Sequence, residues 1–187
     1  MIGYAFCGSF CTLGDSLAAL EKLALAGHEI LPIMSEITYN TDTRFFSKEA
    51  LRSKVRELTG RQIIHTVKDA EPLGPSHPLS ALVIAPCTGN TLAKMAAGIT
   101  DTAVTMAAKA HLRADRPLLI SLASNDSMSA NLSNIARLLT RKMTYFVPMR
   151  QDDPISKPYS LVAEFSLLPE CLTAALAGKQ LRPLFLA

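Results

Sequence analysis

A chain of 187 residues, 49% hydrophobic and 19% charged with a mean hydropathy of +0.21, can bury a full core and keep apolar surface for subunit contacts or a ligand. Its formal net charge of +3 is scattered, with no Lys/Arg block and no interleaved aromatics, which sets nucleic-acid binding aside. No apolar run reaches the ~20 residues of a membrane span, no basic-then-apolar leader opens the chain, and Cys7, Cys11, Cys87 and Cys171 lack the spacing of a metal site.

Free thiols in the reducing cytoplasm are expected, within one domain over residues 1–187. IGYAFC (2–7) predicts a buried strand, and LGDSLAALEKLALAG a helix that stops at Gly27. EILPIM (29–34) is a second strand, with Pro32 marking an irregularity, and Ser35 follows it directly. SKEALRSKVRELTG (47–60) is an amphipathic helix with Ser47 as N-cap and Gly60 as stop. QIIHTV (62–67) predicts a third strand and KDAEPLGPSHPLS a loop. ALVIAP (81–86) is the most apolar strand; after it, TLAKMAAG and DTAVTMAAKAHL form two helical pieces split at 98–100. PLLISLA, SANLSNIARLLTRK and TYFVP predict strand, helix and strand. RQDDPISKP then breaks the alternation before a last helix at 169–177.

Apolar strands alternating with helices imply a parallel sheet covered on both faces, hence a doubly wound α/β fold. Such sheets bind ligands beyond the carboxyl ends of their strands, where strand order reverses. That point falls between the first predicted strand and the fourth, and so between the loops GSFC (8–11) and PCTGNT (86–91). Free amides at a helix start, with Ser and Thr hydroxyls beside them, suit a phosphate. Gly8 and Gly89 permit close approach of the backbone. GSFCTLG offers only Gly8 and Gly14, so the dinucleotide and triphosphate patterns are missing and a mononucleotide with one phosphate fits better. Helix capping explains Thr88, Asn90 and Thr91 equally well, and both readings stand on composition alone.

PCTGNTLAKMAAGITD (86–101) resembles the P-x-S-A-N-T-x-A-K-x-A-x-G-x-x-D signature of the flavoprotein family, which includes phosphopantothenoylcysteine decarboxylase, lantibiotic cysteine decarboxylases and prenyl-FMN synthases. The runs NTDTRF (40–45), AEPLGP (70–75), MAAKAHLRADRPLL (106–119) and FVPMRQDDP (146–154) narrow the resemblance, over essentially the whole chain, to one branch of B subunits from spore-forming bacteria. The resemblance implies a Rossmann-like fold, FMN, and assembly in trimers or multiples of trimers. It also implies a partner A subunit that alone carries NAD(P), and formation of a pyridine dicarboxylate from a hydroxy-tetrahydropyridine dicarboxylate in the sporulating mother cell. By the same resemblance Gly8, Ser9 and Phe10 meet the cofactor at or near its phosphate, Ser35 meets the phosphate, and Pro86, Thr88, Gly89, Thr91, Ser124 and Asn125 complete the cofactor site. Thr88-Gly89 replaces the family's Ser-Ala, and Asn90 matches its Asn.

The family's decarboxylases carry an active-site His and a P-x-M-N-x-x-M run. Here His77 stands nine residues before Pro86 in a Pro-rich loop, His65 reads as structural, and SNDSMSANLSNI (124–135) occupies the place of that run, which disfavours cysteine decarboxylation. A dicarboxylate calls for arginine, whose planar fork binds carboxylates bidentately; Arg44 is the first candidate, ahead of Lys109, Arg113 and Arg150. Asn90 and Asp101 could order the substrate or relay a proton, and Asp101 reads alternatively as an N-cap. Asn125 and Asp126 face the same sheet edge; Asp152 and Asp153 suit a partner or a cap; Cys11 and Cys87 read as nucleophiles or as small buried thiols. Two rival functions share this fold: a flavin-dependent decarboxylase or transferase, and a non-catalytic scaffold for the A subunit.

Overall fold

The central strands send alternate side chains into two separate cores. The computed structural model describes residues 1–74 and 76–187; Pro75, the end of the AEPLGP run, lies outside the described residues. β1 (Ile2–Phe6) leads to α1 (Leu13–Leu25), and β2 (Ile30–Met34) to α2 (Glu36–Asn40) and α3 (Lys48–Thr59). After the short α4 (Val67–Ala70), β3 (Leu82–Cys87) enters α5 (Gly89–Ala97) and α6 (Ala103–Leu112). β4 (Leu118–Ser124), α7 (Leu132–Leu139) and β5 (Thr144–Phe146) follow. β6 (Met149–Arg150), β7 (Leu161–Ala163) and α8 (Leu168–Leu176) end the fold.

β1 to β5 are parallel, in the order β2-β1-β3-β4-β5. Tyr4, Phe6, Val83 and Leu119 pack into the layer of α1, α3 and α8, whereas Ala5, Leu82, Ile84 and Ile120 pack into the layer of α5, α6 and α7. These strands are buried on both faces, which explains why they read as continuous apolar runs.

The structure corrects three expectations. Residues 62–67 form no strand: Ile64 alone bridges Ile33, and Thr66 then caps α4 by accepting from Asp69 N at 3.1 Å. Strand order therefore reverses between β1 and β3, and the same two loops still meet there. The sheet is mixed, because β7 lies antiparallel to β4 and β6 antiparallel to β7, with QDDP (151–154) in the connecting hairpin, 151–160. Asp101 is not the N-cap of α6. Thr102 is, in a reciprocal capping box with Thr105, while Gly98 at φ +75° ends α5.

The carboxyl end of β3 carries a bulge. Ile84 pairs with Ile120 but Cys87 pairs with Leu122, so Ala85 and Pro86 together oppose Ser121. The Ala85 carbonyl accepts from Ser16 Oγ of α1 at 2.5 Å, and Tyr4 Oη donates to the Ser16 carbonyl at 2.8 Å. A buried polar pair thus satisfies the carbonyl at the bulge. No helix of the described residues is long and apolar enough to cross a membrane.

Candidate functional site

Three loops converge beyond the carboxyl ends of β1, β2 and β3, each followed by a helix start. After β2, Ser35 caps α2, with its Oγ 2.9 Å from Thr38 Oγ1. After β3, Thr88 caps α5: Thr91 N donates to Thr88 Oγ1 at 3.2 Å, and the Thr91 hydroxyl donates to Cys7 Sγ at 3.3 Å. After β1, Thr12 Oγ1 donates toward both the Ser9 carbonyl, at 3.0 Å, and Ser9 Oγ, at 3.1 Å. Capping is therefore real, yet incomplete. Among the described residues the N–H groups of Phe10, Cys11, Gly89 and Asn90 have no protein acceptor, as first-turn amides do when a ligand or solvent must serve them.

These loops line two adjoining clefts of about 660 and 680 Å³ that share Gly8, Phe10, Thr88 and Asn90. The first adds Ser35, Thr91, Lys94, Thr102 and the exposed Ile37. The second adds Ser9, Arg44, Gly89, Ser124, Asn125 and Asp126. Of the residues singled out in the sequence, Pro86 and Asp101 line neither cleft. Pro86 is buried in the bulge, where its carbonyl accepts from Cys7 N, and Asp101 is exposed and paired with Lys94 at 2.8 Å. Lys109 and Arg113 also lie outside both clefts, and Arg150 pairs with Glu164 at 2.8 Å in a separate groove. His65 stacks on Tyr39 with centroids 3.7 Å apart, and no histidine lines either cleft among the described residues.

The charges are unevenly compensated. The Lys94 ammonium holds the Asp101 carboxyl below its ordinary value, and Asp152 raises the Lys157 ammonium that shares the second cleft. Arg44 lies 4.8 Å over the Phe45 ring and has no carboxylate partner among the described residues. Burial pushes the Cys7 thiol up to about 11, partly offset by the Thr91 hydroxyl. Burial and the neighbouring Cys7 raise Cys87 well above the usual thiol range, so a nucleophilic Cys87 is disfavoured.

Behind Gly89 stands a polar cluster of which sequence reading found only part. Asp126 Oδ1 accepts from Ser124 Oγ at 2.5 Å, and Asn131 Nδ2 donates to both carboxylate oxygens, at 3.0 and 2.9 Å. Asn131 carries no signal of its own in the sequence; Lys94 does, as the Lys of the signature run.

The donor chemistry of the site suits a phosphate: amides without a protein acceptor among the described residues, three capping or neighbouring hydroxyls at Ser35, Thr88 and Thr91, and the Lys94 ammonium at the rim. The model of the flavoprotein family matches residues 3–164. Over 183 residues, 98% of this chain and 92% of the relative, the sequence is 40% identical to the B subunit of dipicolinate synthase from Bacillus subtilis (strain 168). The crystal structure of the B subunit of dipicolinate synthase from Bacillus halodurans C is similar at a TM-score of 0.92 and 39% identity, over 100% of this chain and 95% of that one. The FMN-dependent cysteine decarboxylase SpaF shares the fold, at a TM-score of 0.69 and 22% identity over 93% and 95% of the two chains.

Proposed function

This chain belongs to the flavoprotein family, and we propose that it acts as the B subunit of a dipicolinate synthase. In this reading it works in the cytoplasm of a sporulating cell, assembled as a trimer or a multiple of trimers and joined to an A subunit that carries the nicotinamide cofactor. The reaction forms pyridine-2,6-dicarboxylate from a hydroxy-tetrahydropyridine dicarboxylate, which must lose water, two electrons and their protons. FMN, when bound, would supply hydride-accepting chemistry.

The chain's own residues would do the rest. Ser35, Thr88, Thr91 and Lys94, with the free amides of Gly89 and Asn90, would hold the phosphate. Gly8, Ser9 and Phe10 would close the opposite wall, and Ser124 and Asn125 would face the reacting ring. Arg44 would hold a substrate carboxylate, and Asn90, shared by both clefts, would orient the substrate toward the cofactor. Asp101 would act through Lys94 by fixing the ammonium at the rim. The observation that supports this reading best is the pairing of an anion cradle with a second cleft that holds the uncompensated Arg44.

Visible spectroscopy of the purified chain, with and without added FMN, tests it. Stoichiometric FMN uptake that Thr91→Leu abolishes supports the reading, followed by dipicolinate formation with the A subunit present. No uptake at high FMN leaves the scaffold function in its place. Dipicolinate formation at an undiminished rate by the A subunit alone would also sink the proposal.

A further inference from the structure

Among the carboxylates around the two clefts, Asp126 stands apart from the three that form ion pairs; Glu36, in the first cleft, also makes none among the described residues and accepts instead from Ala103 N at 3.3 Å. Asp101 pairs with Lys94, Asp152 with Lys157 and Glu164 with Arg150, but Asp126 makes no ion pair among the described residues. Two uncharged side chains hold it instead. An ionised carboxylate has about four acceptor positions. Ser124 Oγ and Asn131 Nδ2 occupy two on Oδ1 and one on Oδ2, which leaves one on Oδ2 unfilled.

The backbone fixes the group as firmly as the side chains do. The Asp126 carbonyl accepts from Ser129 N at 3.2 Å and Asn131 N at 3.1 Å, while Ser127 Oγ donates to the Ser124 carbonyl at 2.9 Å. Asn131 is itself buried and accepts from Asn134 Nδ2 at 3.0 Å. The start of α5 lies against the carboxylate, with the position of a Cβ on Gly89 2.8 Å from Asp126 Oδ1. A helix N-terminus favours a carboxylate at that place. Asp126 lines the same cleft as Arg44 and Asn90.

We propose that Asp126 is the proton acceptor for the loss of water from the hydroxylated heterocyclic dicarboxylate, an assignment that rests on the substrate reading above. The free position on Oδ2 takes the proton of the ring C–H beside the hydroxyl-bearing carbon. That C–H electron pair becomes a ring double bond, and the C–O bond breaks with its pair on oxygen. The proton then passes from Asp126 to the departing oxygen, so that water leaves and the carboxylate is restored. The ring loses H₂O and no electrons, and this step needs no oxidant.

The test uses the complete chain with its A subunit, the hydroxy-tetrahydropyridine dicarboxylate as substrate, and both FMN and the nicotinamide cofactor withheld, so that no electron acceptor is present and only dehydration is read. Pyridine-2,6-dicarboxylate and FMN affinities are measured separately by calorimetry. Asp126→Asn is expected to slow dehydration about 100-fold or more, the usual range for a lost general base, with both affinities within about twofold of the parent. Dehydration by that variant near the parental rate overturns the assignment and leaves the substrate reading intact. If Asp126→Asn does not fold, Asp126→Ala in added formate decides: restoration of about tenfold supports the assignment, and none in a folded variant overturns it. Parental protein that binds neither FMN nor the dicarboxylate overturns both readings together.

Discussion

Gly89 at the start of α5 and Ser124 at the end of β4 stand so close that a Cβ on Gly89 would lie 2.5 Å from Ser124 Oγ. The same Cβ would lie 2.6 Å from Asn131 Nδ2. An alanine at this position would therefore collide with the Ser124–Asp126–Asn131 cluster, which already fills that space. Gly89→Ala is expected to destabilise the chain by about 1–3 kcal/mol, the usual effect of overpacking. Gly14→Ala is the control, since a Cβ there meets nothing within 4 Å. It should raise the unfolding midpoint slightly, by up to about 1 kcal/mol in stability. Thermal unfolding of both variants checks the pair.

Arg44 is exposed and, among the described residues, tethered only by its stack over Phe45, so replacing it should leave the fold unchanged. Arg44→Ala should weaken pyridine-2,6-dicarboxylate binding about tenfold or more, the scale of a lost hydrogen bond to a charged group, without changing FMN affinity. Arg44→Lys should fall between, because an ammonium cannot reproduce the bidentate fork. Calorimetric titration with each ligand separates these outcomes, and equal weakening of both ligands would remove Arg44 from the substrate side.

His111 sets a pH limit remote from the site. Its ring is fully buried, with Nε2 2.8 Å from the Pro117 carbonyl and Nδ1 without a partner among the described residues. Burial, first, and the Arg116 charge hold its pKa below the ordinary 6.5. The folded chain therefore binds fewer protons than the unfolded chain just below that value, so stability is fully present above about pH 6.5 and declines as pH falls through it. Asp101 and Glu164 are held below their ordinary values and stay charged in this window, so they do not mask the decline. The unfolding midpoint should drop between about pH 7 and pH 5.5, and His111→Gln should flatten that slope.

Thiol labelling distinguishes the four cysteines. Cys11 is exposed in the second cleft, whereas Cys7, Cys87 and Cys171 are buried, with Cys171 pushed up to about 12 by burial. A folded sample should modify at Cys11 alone, the rest following only on unfolding. Mass spectrometry after brief alkylation reads this directly, and bound FMN should slow the reaction by covering the cleft.

The long elements were legible because burial on both faces leaves uninterrupted apolar runs and because caps such as Ser47 and Gly60 sit where the helix physics requires. Residues 62–67 misled because Ile63 and Ile64 carry β-propensity, while Thr66 turns the chain into α4 after one bridge. The short α2, β6 and β7 are two to five residues long, too brief to impose any period. The position of the site followed from strand order together with two small polar loops. Its back wall did not, since the link between Gly89, Asp126 and Asn131 exists only once β3 and β4 are paired.

The extra residue at Ala85 and Pro86 acts as a half-period phase shift in β3. Side chains alternate strictly along a strand, so an unbulged run through both residues would turn Cys87 toward the layer of α1 rather than that of α5, where it lies. All that follows would inherit the opposite parity: Thr88 would leave the sheet on the far side, and α5 would start away from Asp126. The bulge that absorbs the added residue, stabilised through Ser16, thereby determines which half of the molecule receives the ligand loop.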